Sequence, residues 1–139
     1  MKILFAADGS SHTKKALAFL VANPHLLTDT ELVVLYVQSA LPPNARALLG
    51  SKAVAEYDEQ EAWRVLAPIE EFLRRHSLRF ETRWVVGQPV AEILQAASRE
   101  RAHMIVMGTH GHGIFGLSMA GSVAQGVLGG AQVPVLLVK

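Results

Sequence analysis

Residues 108 to 123, GTHGHGIFGLSMAGSV, place five glycines and two histidines in sixteen positions. Such a density suits a backbone that must turn tightly or approach another group closely. Gly108, Gly111 and Gly113 would permit positive φ and leave no Cβ in the way of a ligand. Gly121-Ser122 stands where a last helical pattern, GSVAQGVLGG, begins. A helix start carries unpaired amides and the positive end of the helix dipole, so a glycine loop feeding it can cradle a phosphate. A phosphate there would take N–H bonds from around Gly111, Gly121 and Ser122, and one from the Ser122 hydroxyl. On spacing alone, glycines that only permit tight turns explain the stretch as well.

Asp8, in the turn Asp8-Gly9-Ser10 after the first apolar run, is the other candidate. Its carboxylate could bond a ribose hydroxyl or sit in the outer shell of a phosphate-bound Mg²⁺; it could equally cap or turn into the first helix. His110 and His112, with His103, invite a metal reading. Two histidines at i and i+2 on a glycine loop make a poor preformed site and no third ligand is evident, so no metal ligands are assigned. The histidines read as solvent-exposed or phosphate-adjacent.

The elements that must position these groups follow from periodicity. KILFAA (2 to 7), ELVVLYV (31 to 37), MIVMG (104 to 108) and VPVLLV (133 to 138) are short apolar runs typical of strands covered on both faces. RFETRWVV (79 to 86) alternates, as a strand near a sheet edge does. Between them lie helical stripes: Thr13, Ala16, Leu17, Leu20 and Val21; then Ala62, Val65, Leu66, Ile69, Phe72 and Leu73; then Val90, Ile93, Leu94 and Ala97. Pro68 should kink or split the second of these, LPPNARALLGSK reads as a loop, and EYDEQEAWR reads as a solvated helix face. Gly129-Gly130 reads as the stop of the last helix, whose interior glycines invite fraying. Five strands alternating with four helices predict an α/β fold, a three-layer α/β/α sandwich around a parallel sheet with right-handed crossovers, in one domain over 1–139.

Composition narrows the function. Half of the 139 residues are hydrophobic, the formal charge is +1 and there is no cysteine. That disfavours disorder and a nucleic-acid surface, and it excludes disulfides, zinc-thiolate sites and thiol catalysis. Asp8 interrupts the first apolar run before a signal-peptide core, and no run is long enough for a membrane span, so a cytoplasmic protein is expected.

Gly108-Thr-His-Gly111, nine residues, then Gly121-Ser122 resembles the nucleotide-binding signature of the universal stress protein family. The likeness runs along the chain: KILFAADGSSHTKKAL resembles that family's opening, GQPVAEIL its third-helix start, AHMIVMGTHGHG its fourth strand and loop, and VPVLLVK its ending. The resemblance implies strand order 3-2-1-4-5 and a cleft for ATP, or ADP or AMP, with Mg²⁺. In that cleft Asp8 and Val37 would border the adenine and ribose, with Ala7 beside them. Met107 and Gly108 would lie near the ribose, and Gly111, Gly121, Ser122 and Val123 would hold phosphates. It also implies a homodimer through the last strand, 133 to 138. His112 stands where the family often has a basic residue and His103 where an aspartate is common.

The leading functional reading is a nucleotide-binding regulatory module of a stress response, acting on an unknown protein partner. The alternatives are a slow ATP hydrolase, although no Walker lysine or arginine finger is evident, and a nucleotide-free dimeric interaction protein. A flavodoxin would be expected to hold its FMN phosphate in a Ser/Thr-Gly-rich loop after the first strand, and DGSSHT has no glycine beyond Gly9; a phosphate receiver needs paired acidic residues there and an aspartate after RWVV, where this chain has a single Asp8 and no aspartate.

Overall fold

The computed structural model describes residues 1–110 and 121–139. Gly111, His112 and Gly113, and what was expected of them, lie outside the described residues.

Strand β1 (Lys2–Ala7) is the centre of the molecule. It pairs in parallel with β2 (Glu31–Gln38), from Lys2 opposite Glu31 to Ala7 opposite Tyr36. Its other edge pairs in parallel with β4 (Met104–Gly108), from Ile3 opposite Met104 to Ala6 opposite Met107. Outside these lie β3 (Phe80–Val86) against β2, and β5 (Val135–Val138) against β4. The five-stranded order β3-β2-β1-β4-β5 is the one the family resemblance implied.

Helices α1 (Ser11–Ala22) and α3 (Ser51–Arg75) cover one face, and α4 (Pro89–Arg99) and α5 (Ser122–Gly130) the other. The period-2 alternation of a strand divides β1 between them. Ile3, Phe5 and Ala7 join a core with Ala16, Leu17, Leu20, Leu66 and Leu73, whereas Leu4 and Ala6 join one with Ile93, Ala97, Ala124 and Val127. β3 is an edge strand as its alternation predicts, with Phe80 and Trp84 half-buried and Glu81 and Arg83 exposed.

The turn that launches α1 is built from its own side chains. Asp8 Oδ1 accepts from the Ser10 amide (2.9 Å) and from the Thr13 hydroxyl (2.8 Å), and Thr13 Oγ1 accepts from the Asp8 amide (3.1 Å). Ser10 is the N-cap, its hydroxyl accepting from the Thr13 amide at 3.3 Å. Between them Gly9 adopts φ +78°, a left-handed conformation open to glycine at little cost.

Two local expectations are corrected and a third is borne out. The segment read as a loop contains a short helix, α2 (Pro43–Leu49), opened by Pro43 and ended at Gly50 with φ +82°. Pro68 does not split α3, which runs unbroken for 25 residues. The proline is exposed, while Ala62, Val65, Leu66, Ile69 and Leu73 on either side are buried, so packing outweighs the lost backbone bond. Helix α5 ends at Gly130, where its closing glycines predict, with Ala131 as the C-cap. Two glycines of α5 have another use. A Cβ at Gly126 would lie 2.7 Å from Val90 Cγ2 and one at Gly130 2.5 Å from Leu94 Cδ1. Their bare backbone lets α5 lie directly on α4.

Gly108 is likewise fixed by a neighbour. A Cβ there would stand 2.6 Å from His12 Cβ and 2.8 Å from the His12 carbonyl carbon, so α1 closes over the end of β4 only if residue 108 has no side chain. Gly108→Ala should cost about 1 to 3 kcal/mol by overpacking, and Ser10→Ala about 1 kcal/mol by loss of the cap. Urea unfolding midpoints check both, and a Gly108→Ala protein as stable as the parent would contradict this packing.

Candidate functional site

β1, β2 and β3 spread to one side of the sheet and β4 and β5 to the other, so the strand order reverses between β1 and β4. A crevice opens beyond the carboxyl ends of strands at such a point. Here it is a cavity of about 600 Å³, a size suited to a small-molecule ligand.

Of the nine site residues singled out from sequence, Ala7, Asp8, Val37, Met107, Gly108, Gly121, Ser122 and Val123 all line this cavity. The ninth, Gly111, lies outside the described residues. The floor comes from the ends of β1, β2 and β4, one wall from the start of α5, and another from Tyr57 of α3.

The polar groups are few. Asp8 contributes a carboxylate whose Oδ1 is committed to the α1 turn and whose Oδ2 has no bonding partner among the described residues. Asp8 thus serves the turn and walls the cavity at once, while the capping role falls to Ser10. No lysine or arginine is found among the described lining residues. An anion would therefore depend on dipoles.

Those dipoles stand at α5. Gly121 is its N-cap, with φ −62° and ψ 169° and no side-chain capping bond. The expectation that the Gly121 amide faces a ligand is corrected: it donates to the Thr109 carbonyl at 2.6 Å. The first bond of the helix runs from the Gln125 amide to the Gly121 carbonyl. The amides of Ser122, Val123 and Ala124 are consequently without acceptors among the described residues, as the first turn of a helix requires, and all three residues line the cavity. Positive φ at Gly108 is also not found; its bareness serves the contact with His12.

The histidines separate. His110 lines the cavity, its ring 5.0 Å from that of His12 and its Nδ1 3.0 Å from the Thr109 hydroxyl. His103 is at the other end of β4, where its Nδ1 accepts from the Lys2 amide at 3.0 Å. An aspartate there could accept the same bond. Among the described residues no cluster of three metal-ligating side chains occurs.

Sequence reasoning missed Tyr36, Gln38 and Tyr57, which also line the cavity. Gln38 had a signal, being a polar residue at the end of an apolar strand, and it is buried with its Oε1 accepting from the Tyr36 hydroxyl at 2.6 Å. Burial, with a contribution from nearby Glu61, pushes the Tyr36 phenol up. Tyr57 had none, since it sits in a stretch of α3 that reads as a solvated face.

Comparison with known proteins accords with this architecture. The model of the universal stress protein family matches residues 1–139. A universal stress protein of Thermus aquaticus is 34% identical over 138 residues, covering 99% of this chain and 97% of its own. The solved structure of the Methanocaldococcus jannaschii protein MJ0577 superposes with a TM-score of 0.77 at 28% identity, over 99% of this chain and 94% of that one. The Archaeoglobus fulgidus universal stress protein, solved in complex with dAMP, gives 0.69 at 25% identity over 100% and 98% of the two chains. With its whole length matched by the family model and by relatives of similar length, this chain belongs to the universal stress protein family.

Proposed function

We propose that this protein is a nucleotide-binding regulatory module of a stress response, taking ATP, ADP or AMP in the cavity between β1, β2 and β4. The observation that carries the reading is the trio of amides at Ser122, Val123 and Ala124, which have no acceptor among the described residues and belong to residues that line that cavity. Such a helix terminus favours phosphate oxygens through direct N–H bonds and the helix dipole together. The dAMP bound by the Archaeoglobus fulgidus relative supports the same ligand class.

In this reading the Ser122 hydroxyl adds a further donor to the phosphates, and Ala7, Val37 and Met107 give apolar contact to the nucleoside. Asp8 Oδ2 suits a ribose hydroxyl or the outer shell of Mg²⁺. It fits Mg²⁺ because it is an unengaged carboxylate oxygen, and Mg²⁺ keeps most of its waters beside a phosphate chain. Asp8 is also the only carboxylate among the described lining residues. Without a lysine or arginine to stabilise a transferring phosphoryl group, turnover of bound ATP is slow and binding is the function.

The protein acts as a homodimer through β5. That strand is at the edge of the sheet, and Val135, Leu136, Leu137 and Val138 remain half-buried in the single chain. An apolar edge of this kind invites pairing with a second copy.

Denaturing freshly purified protein should release adenine nucleotide near one equivalent, identified by chromatography, and Mg-ATP should titrate the stripped protein. No nucleotide and no titration signal would remove the reading. Gly121→Val keeps backbone angles open to any residue and should fold, yet bind ATP at least about tenfold more weakly because its side chain meets the phosphates. Asp8→Asn preserves the Oδ1 acceptor and should hold stability close to the parent while reducing the gain in ATP affinity on adding Mg²⁺; an unchanged gain would remove the metal role of Asp8. Light scattering at micromolar concentration should give the mass of two chains, and a monomer would contradict the β5 interface.

A further inference from the structure

Gln38 ends β2 at the cavity's far side from α5, and only 6% of its surface is exposed. Its Oε1 is engaged by the Tyr36 hydroxyl, which donates at 2.6 Å. Because burial raises the Tyr36 phenol above its ordinary value, it keeps its proton through the physiological range and remains a donor. The amide orientation is thereby set, and Nε2 is the half left over. Nε2 has no partner among the described residues. It is also not sealed in protein: the sole fully enclosed side-chain polar atom without a partner among those residues is Asp58 Oδ1. A side chain more than nine-tenths buried thus keeps a spare, partly accessible N–H donor while lining the cavity.

Its place in the sheet says what that donor meets. β2 and β4 flank β1, so at about 4.8 Å per strand their ends stand about 10 Å apart. The anion-facing terminus of α5 lies on the β4 side. A nucleotide with its phosphates at Ser122 to Ala124 therefore extends its base toward β2.

We propose that Gln38 reads the nucleobase: Nε2 donates to a ring-nitrogen acceptor of the bound purine, with Tyr36 as the positioning residue that holds the amide in that orientation. The assignment rests on the nucleotide reading above. Structural needs account for only part of this side chain. Oε1 satisfies Tyr36, and the Gln38 carbonyl accepts from the Gly87 amide at 2.9 Å as part of the β2 to β3 pairing, but neither use employs Nε2. A base offering a C–H where the acceptor should be leaves Nε2 unpaired in a site already withdrawn from water, and such mismatches discriminate more strongly than the gain or loss of apolar contact.

The test is calorimetric titration of stripped wild type, Gln38→Leu and Tyr36→Phe with Mg-ATP and with its 1-deaza, 3-deaza and 7-deaza analogues, each lacking one ring acceptor. One analogue should bind wild type about threefold to tenfold more weakly than ATP, the usual worth of one such bond. Gln38→Leu should bind ATP more weakly by a similar factor and no longer distinguish that analogue. Tyr36→Phe removes a single hydroxyl, folds by the same packing, and should show reduced discrimination because the amide is free to turn; it carries the comparison should Gln38→Leu not fold. Wild type binding all three analogues as it binds ATP, or either folded variant retaining full discrimination, overturns the assignment while leaving the nucleotide reading in place. Wild type that binds no ATP removes the nucleotide reading and this assignment together.

Discussion

Everything in this molecule is arranged around a strand that has no free edge and no free face. β1 is hydrogen-bonded to β2 on one side and β4 on the other, and Ile3, Leu4 and Phe5 are fully enclosed between the helical layers. Burial of such side chains contributes about 1.5 to 3 kcal/mol each, and it has a topological price. A parallel partner cannot be reached by a hairpin, so the chain returns through helical crossovers, first toward β2 and β3 and then toward β4 and β5. The reversal leaves a crevice at the ends of the central strands. The site is a by-product of how the core was closed.

The fold was legible because its signals are periodic and summed over many residues. Apolar runs at 2 to 7, 31 to 37 and 104 to 108, the alternation at 79 to 86 and the helical stripes between them each coincide with an observed element. What misled were single residues with two possible meanings. Pro68 breaks helices in isolation, yet five buried side chains around it hold α3 straight through. Gly126 invites fraying in isolation, yet its bare backbone is what lets α5 lie against Val90 of α4. Gly108 invites a ligand contact, yet its nearest demand comes from His12. A bare Cα looks the same in a sequence whether a phosphate or another helix needs the room.

The candidate site was legible in its location and only partly in its atoms. Eight of nine residues fall together because each ends a strand or starts a helix at the same edge of the sheet. The sequence could not show that the Gly121 amide is spent on Thr109, nor that the open donors are instead Ser122, Val123 and Ala124. It could not show Gln38 held by Tyr36 either, since that depends on the final residues of β2 lying over the cavity. With no lysine or arginine among its described lining, the cavity offers oriented amides, hydroxyls and the Asp8 carboxylate as its polar groups. Interactions with such fixed dipoles depend on direction and distance more than on net charge, and salt screens them less than it would a basic patch.

The bond from the Gly121 amide to the Thr109 carbonyl, 2.6 Å long, fastens the two ends of the glycine-rich connection to one another and, through the Thr109 amide on Val138 at 3.0 Å, to the sheet. The start of α5 is therefore moored to the ends of both β4 and β5 by two main-chain bonds, a coupling that ordinary side-chain substitutions leave in place.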